Sequence, residues 1–409
     1  MTTKPLVLFF AEAVTLAHVA RPLALASALD QDEFDIRVAC APRYREFFSS
    51  TKYDVIEVHS IPVSEFLARL ASGRPVYDAA TLRRYVDEDL RLLERLKPST
   101  VVGDFRLSLG VSARRAGVPY IGVANAYWSP YARPEFELPS HPATRYVGQQ
   151  LASSVFRLVR PLVFAYHTLP MNRVRRQYGL PSLGFDLRDV YTDADYVAYA
   201  DIPELIPTYD LPRTHSYIGP VLWSTPVALP TWWHSLPPDR PLIYVTMGSS
   251  GDASVLPRIV DALAALPAIV MVASAGASLP RELPTNVRTS AYLPGELAAR
   301  RARLVVCNGG SPTTHQALAE GVPVLGIVTN MDQFLNMQYI TARGAGVRLR
   351  ADTLQAAELR AQAARLLTDS ASATAARRLA DDMRRYDAGT RLAAIVHRAT
   401  RQSHTPTLV

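Results

Sequence analysis

Lysine is almost missing from this chain: Lys4, Lys52 and Lys97 are the only ones among 44 basic residues, and none follows residue 97. A P-loop places a lysine inside a glycine-rich turn and a pyridoxal phosphate enzyme forms its Schiff base on one, and no lysine here has such surroundings. Cysteine is scarcer still. Cys40 and Cys307 alone exclude a disulfide framework and a cysteine-rich metal site. No apolar run is long enough to span a bilayer, because the nearest candidate, Leu151 to Pro170, is interrupted by Arg157, Arg160 and Pro161. The opening MTTKPLVLFFAEA has no charged segment ahead of a long apolar one, so the expected location is cytoplasmic. No Gly-x-Gly-x-x-Gly follows a strand, which argues against a nicotinamide dehydrogenase.

What is present is length and apolar content. The 409 residues, 48% of them hydrophobic, suffice for two packed domains of roughly 200 residues each. The net charge of +7 could signal a polyanion partner. Arginines are interleaved with acids, however, as in RRYVDEDLRLLERL at Arg83–Leu96, so they read as a solvated surface and a coding bias toward arginine, with no nucleic-acid partner expected.

Short apolar runs alternate with helical periodicity in both halves, the grammar of an α/β fold with parallel sheets. Strands are predicted at Pro5–Phe10, Ile36–Ala41, Tyr53–Val58, Thr100–Gly103, Tyr120–Ala124, Tyr196–Tyr199 and Tyr217–Ile218, with helices at His18–Leu29, Arg83–Leu96 and Leu107–Ala116. From Asn125 to Leu180 the texture turns aromatic, proline-rich and then basic and amphipathic, as an insertion that shapes a site would be. Six prolines between Gly219 and Pro241 mark a linker, after which strands restart at Leu242–Thr246, Ala268–Ala273, Val287–Ser290, Leu304–Cys307 and Pro323–Ile327, with a helix at Val255–Leu266. The expected domains are residues 1–220, a linker at 221–240, residues 241–385, and a C-terminal helix and tail at 386–409 that returns to the first domain.

Ligands of doubly wound sheets bind outside the carboxyl ends of the strands, so the turns there hold the candidate chemistry. Asn308-Gly309-Gly310-Ser311-Pro312-Thr313-Thr314-His315-Gln316 leaves a strand and opens a helix. Its glycines allow close backbone approach and its first-turn amides are free donors, which suits either a phosphate site or an ordinary helix cap. Met247-Gly248-Ser249-Ser250-Gly251 is a second such turn, and Asp332-Gln333 at another strand end could serve sugar hydroxyls or cap a helix. Asp87-Glu88-Asp89 looks like a metal-binding triplet, but it falls inside a helical pattern whose acids have arginine neighbours, so no metal site is expected. His18 opens a helix after the first strand, where an imidazole either packs or acts as a base.

Tyr292-Leu293-Pro294, the Asn308–Gln316 turn, Gly321-Val322-Pro323 and Asp332-Gln333, in this order and spacing, resemble the donor-binding half of the UDP-glycosyltransferase superfamily, which includes bacterial macrolide and plant natural-product enzymes. The resemblance implies the GT-B fold: two Rossmann-like doubly wound domains facing across a cleft. It implies that Tyr292 stacks on the nucleobase and the Leu293 backbone reads its edge. Asn308, Gly309, Gly310, Ser311, Thr313 and Thr314, with Ser249 or Ser250, would lie on the diphosphate, and Asp332 and Gln333 on the sugar. The family's phosphate-binding histidine is Asn308 here and its ribose-binding glutamate is Gln316; an amide offers one acceptor where a carboxylate offers more, which fits a dTDP-sugar slightly better than a UDP-sugar.

The resemblance further makes His18, in His18-Val19-Ala20-Arg21-Pro22, the general base of an inverting, metal-independent transfer, and Asp104 the carboxylate that orients it. No cofactor is expected beyond the nucleotide-sugar donor. Asn125, Trp128, Tyr131 and Phe136, with the amphipathic stretch Val155–Tyr166, point to a hydrophobic small molecule or lipid as acceptor, with peripheral membrane contact. The other readings are a non-catalytic accessory protein that keeps the nucleotide-sugar fold and a nucleotide-sugar epimerase.

Overall fold

The computed structural model describes residues 4–48, 53–140, 148–248 and 250–402. They form two compact units, one of Met1–Arg133, Leu158–Val221 and Tyr386–Val409, the other of Pro134–Arg157 and Leu222–Arg385.

In the first unit, seven strands, β1 (Leu6–Ala11), β2 (Asp35–Cys40), β3 (Asp54–Glu57), β4 (Thr100–Asp104), β5 (Tyr120–Ala124), β6 (Tyr196–Tyr199) and β7 (His215–Tyr217), make one parallel sheet in the order β3-β2-β1-β4-β5-β6-β7. β1 is a nearly unbroken apolar run because helices cover both faces of a parallel sheet. The helices α1 (Ala17–Ala28), α2 (Val63–Ala71), α3 (Ala79–Leu96) and α4 (Leu109–Ala116) supply that cover. Helix α2 and residues 79–82 of α3 escaped the sequence reading, although Asp78 caps α3 by accepting from the Thr81 amide. Most of the region read as a site-shaping insertion is helix α5 (Gln149–Gln177), which accommodates Pro161 and Pro170, and a short α6 (Leu187–Tyr191) follows it.

The second unit carries six parallel strands, β8 (Leu242–Thr246), β9 (Ile269–Ala273), β10 (Val287–Ser290), β11 (Leu304–Cys307), β12 (Val324–Val328) and β13 (Gly346–Arg350), in the order β10-β9-β8-β11-β12-β13. β13 was not anticipated, because Arg348 and Arg350 break its apolar run. Their guanidiniums instead bind Glu137 at 2.6 Å and the Leu138 carbonyl at 3.0 Å, tying that segment to this unit. The proline-rich stretch is also packed down: Trp232 Nε1 donates to the Thr289 carbonyl at 3.0 Å and Trp233 is buried under Arg301. Helices α7 (Leu256–Ala264), α8 (Gly295–Arg301), α9 (Ser311–Ala319), α10 (Met331–Ala342), α11 (Ala356–Thr368) and α12 (Ser370–Met383) follow. The last helix, α13 (Ala388–Gln402), belongs to the first unit, where Leu392, Ile395 and Val396 are buried and His397 meets Glu33 at 3.2 Å.

Arg83, Arg84, Arg91 and Arg95 are exposed, as a solvated surface requires, but four other arginines are not. Arg21, Arg106, Arg175 and Arg350 are all buried. Arg106 donates to Glu12 at 3.0 Å, Asp89 at 2.8 Å, Glu88 at 3.1 Å and the His59 carbonyl at 2.6 Å, and lies 3.9 Å from the Tyr85 ring centre. Asp89 and Glu88 therefore pair with an arginine beyond the helix, and Asp87 binds the Tyr178 hydroxyl, so the acidic triplet is spent on protein partners.

Burial pushes the Glu12 and Asp89 carboxyls above their ordinary values, against the pull of Arg106. Each then holds its proton more tightly in the native chain than in the unfolded one, so this pair's contribution to stability falls as pH rises from the ordinary carboxylate range through the raised native values. Replacing Arg106 by Met strands both charges, and a loss of about 3–5 kcal/mol at neutral pH is expected in urea unfolding, partly recovered on acidification. An unchanged midpoint, or a loss that grows with acid, would contradict the network.

Candidate active site

In both sheets the strand order reverses once, between β1 and β4 in the first unit and between β8 and β11 in the second. Ligands of such sheets sit outside the strand ends at that reversal. In the first unit, Ala11 pairs in register with Asp104, so the chain leaving β1 and the carboxylate ending β4 lie side by side. The chain after β1 turns into α1, which presents His18 and, one turn on, Arg21. His18 Nδ1 lies 2.8 Å from Asp104 Oδ1. Arg21 reaches the same carboxylate twice, Nε to Oδ2 at 2.7 Å and a terminal nitrogen to Oδ1 at 3.0 Å, while its other nitrogen donates to Asn125 Oδ1 at 2.7 Å. Asp104 is 1% exposed, whereas the His18 side chain keeps 19% of its surface open.

Burial drives the Asp104 carboxyl up, but Arg21 and His18 together outweigh it and hold the group below the ordinary range. A carboxylate can only accept, so the close contact is a donation from Nδ1, which leaves Nε2 as the basic nitrogen. Phe105 stacks on the imidazole, ring centres 4.7 Å apart and planes 13° from parallel. It does so from a left-handed backbone, φ 60°, which costs a side-chain-bearing residue about 1–2 kcal/mol. Arg106, the next residue, anchors that turn from its buried network.

Asn125 is buried. It links Arg21 to Asp201, donating to the latter at 3.1 Å. Trp128 stands edge-on to Tyr191, 5.0 Å between ring centres, and Tyr131 stands edge-on to His215. Phe136 is buried in the other unit. The four aromatic and amide candidates thus form no single cluster. A small pocket of about 20 Å³, room for about one water, lies beyond Phe105, lined by Tyr77, Leu107, His167, Met171, Leu187 and Tyr191 among others. Phe105 joins the two, stacked on His18 on one side and within 5.5 Å of Tyr191 and 6.2 Å of Tyr77 on the other.

In the second unit Asn308 ties the two glycine turns together: its Oδ1 accepts from the Gly310 amide at 3.0 Å and its Nδ2 donates to Ser250 Oγ at 3.3 Å. Gly309 has φ +80°, and a Cβ there would fall 2.7 Å from Met337 Cγ and 2.8 Å from Val328 Cγ1, so glycine is required twice over. Gly310 caps α9, whose first residue is Ser311, and Thr313 is half-buried in its first turn. Thr314 faces inward and accepts from Asn336 Nδ2 at 2.9 Å.

Gln333 also turns inward. With Asn330 it forms a capping box on α10, and its amide nitrogen donates to the Ser250 carbonyl at 3.3 Å. Asp332 stays half-buried in the first turn of α10. Tyr292 is 41% exposed beside buried Leu293. Gln316 is buried and donates to the Trp223 carbonyl, with its amide packed against Gly295, where any Cβ would collide at 2.3 Å. A glutamate could not make that donation, which gives the amide at 316 a physical reason. Ser249 lies outside the described residues.

Sequence reasoning missed Arg21, Asn336 and the Phe105 stack. The spacing of Arg21 three residues after His18 on one helix face was the available signal.

The C-terminal domain of the erythromycin biosynthesis protein CIII-like family matches residues 257–397. A PGL/p-HBAD biosynthesis glycosyltransferase of Mycobacterium tuberculosis (strain ATCC 25177 / H37Ra) is 50% identical over 375 residues, 92% of this chain and 88% of its own. A PGL/p-HBAD biosynthesis rhamnosyltransferase of Mycobacterium bovis (strain BCG / Pasteur 1173P2) is likewise 50% identical over 92% of this chain and 83% of its own. Among solved structures, the spinosyn rhamnosyltransferase SpnG complexed with thymidine diphosphate shares the fold, with a TM-score of 0.68 over 96% of this chain and 100% of the other at 21% identity. The protein is therefore a glycosyltransferase with the two-sheet GT-B fold, and it belongs to the UDP-glycosyltransferase superfamily.

Proposed function

We propose that the enzyme is inverting and moves a deoxyhexose from a dTDP-sugar to a hydroxyl of an apolar acceptor, with His18 as general base. The observation that carries this reading is His18 bonded to a buried Asp104 that Arg21 also holds, at the strand reversal of the first sheet. Nε2 takes the acceptor's hydroxyl proton as its oxygen attacks the anomeric carbon. The bond from that carbon to the diphosphate breaks, and a single displacement inverts the centre. Asp104 keeps the ring in the tautomer that leaves Nε2 basic and stabilises the imidazolium. The departing diphosphate meets the amides and hydroxyls of Asn308, Gly310, Ser311 and Thr313 at the start of α9, without lysine.

Tyr292 and Leu293 would hold the base, and Asp332 the sugar hydroxyls. Gln316, committed to the Trp223 carbonyl, favours a deoxyribose over a ribose, and the thymidine diphosphate bound by the similar rhamnosyltransferase structure supports the same donor class. The rhamnosyltransferase relative supports a deoxyhexose. The acceptor, a hydrophobic small molecule or lipid, would approach His18 past Phe105, and a lipid acceptor places the enzyme at a membrane face. Among the described residues no helix is long and apolar enough to cross a membrane.

His18→Ala is expected to lower turnover about 100- to 10 000-fold while donor affinity stays unchanged. Unaltered turnover would remove His18 as the base. Asp332→Asn should raise the donor KM and broaden sugar choice, and unchanged donor kinetics would take Asp332 out of the site.

In a thermal-shift series, dTDP should raise the melting temperature more than UDP at equal concentration, since the tighter ligand stabilises by mass action. Gln316→Glu should destabilise the chain by about 1–3 kcal/mol and narrow that preference. A larger shift with UDP would overturn the donor assignment.

A further inference from the structure

Helix α5 has two unlike faces. Leu158, Leu162, Tyr166 and Leu169 follow the period of one face and point outward, 81%, 73%, 49% and 52% exposed. The next two positions of that face are Arg173 and Arg176, both exposed. From Gln149 to Gln177 the helix has no aspartate or glutamate. On its inner face, His167, Pro170 and Met171 line the small pocket beyond Phe105.

We propose that this outer face seats the enzyme on an anionic bilayer, its leucines in the headgroup boundary and Arg173 and Arg176 on lipid phosphates, which sets the unit that carries His18 against the layer holding an apolar acceptor. The proposal rests on the acceptor reading above and deepens it by naming the surface. An exposed row of large apolar side chains needs a cover, and the charge chooses between covers. A second copy packed face to face would meet each arginine pair with arginine or leucine and never with an acid of the helix. An anionic headgroup layer complements both halves of the face, adding apolar burial to attraction for each arginine.

The test is co-sedimentation of the full chain with vesicles of phosphatidylcholine alone and of phosphatidylcholine mixed with phosphatidylglycerol, at low and high salt. Binding to the anionic vesicles, weakened by salt, is expected. Leu158→Glu with Leu162→Glu should cut it at least about 30-fold, and Arg173→Gln or Arg176→Gln about fivefold each. Turnover of a water-soluble acceptor should stay unchanged in all of them, because none touches the catalytic groups.

Equal binding to both vesicle types, no binding, or a dimer in size-exclusion chromatography that the leucine variant abolishes would each overturn the proposal. Sedimentation needs neither donor nor acceptor. A chain that pellets but transfers no sugar upholds the surface and refutes the transfer reading, and one that transfers sugar without pelleting does the reverse.

Discussion

One buried carboxylate sets the terms for the first unit. Asp104 is closed off from water, and an isolated charge there would cost several kcal/mol. Arg21 offsets that cost with two contacts, and only then is Asp104 an ionised partner for His18 across the whole neutral range. Other features follow from keeping this trio in place. The register that sets Asp104 beside Ala11 brings the end of β4 to the start of α1. Asn125 holds the far side of the Arg21 guanidinium, and Asp201 holds Asn125 in turn. Phe105 accepts a left-handed backbone so that its ring can lie flat on the imidazole.

The second unit solves a different electrostatic problem with the same topology. It has no lysine, and its glycine turns set backbone amides and hydroxyls at the strand ends. Bare amides at a helix start are useful only where side chains do not block them, which is why Gly309 is forced by both its dihedral and its neighbours. Asn308 and Gln333 converge on Ser250 from two other strand ends and fix the spacing of the turns. Asn308 and Gln333 thus act as the frame that keeps the two turns in position.

The legibility of the sequence divides along that line. Buried parallel strands declare themselves as apolar runs, so β5, β6, β8 and β11 were readable to the residue, and the glycine turns and His18 sat where a doubly wound sheet puts its ligands. β13 was not readable, since its arginines are satisfied by Glu137 and Leu138, some two hundred residues away in sequence. The protein contacts of Gln316 and Gln333 are hidden for the same reason. Their partners, the Trp223 carbonyl and the Ser250 carbonyl, are backbone atoms that leave no mark in composition. The acceptor side was harder still, because an aromatic residue looks alike in sequence whether it lines the cavity, as Tyr191 does, or fills a core, as Phe136 does.

The arginine excess gains a structural meaning from these contacts. Arg106 serves Glu12, Glu88, Asp89 and a carbonyl at once, and Arg21 serves Asp104 and Asn125. A planar fork with five donors can do this while fully desolvated; an ammonium, a compact and strongly hydrated point charge, cannot spread over four partners in these directions. Lysine at either position would leave a buried carboxylate short of donors. At Arg21 the shortfall would fall on Asp104, and through it on the imidazole. The scarcity of lysine excludes some chemistry from the outset, and at these two positions the preference for arginine is what makes the remaining chemistry stable enough to build.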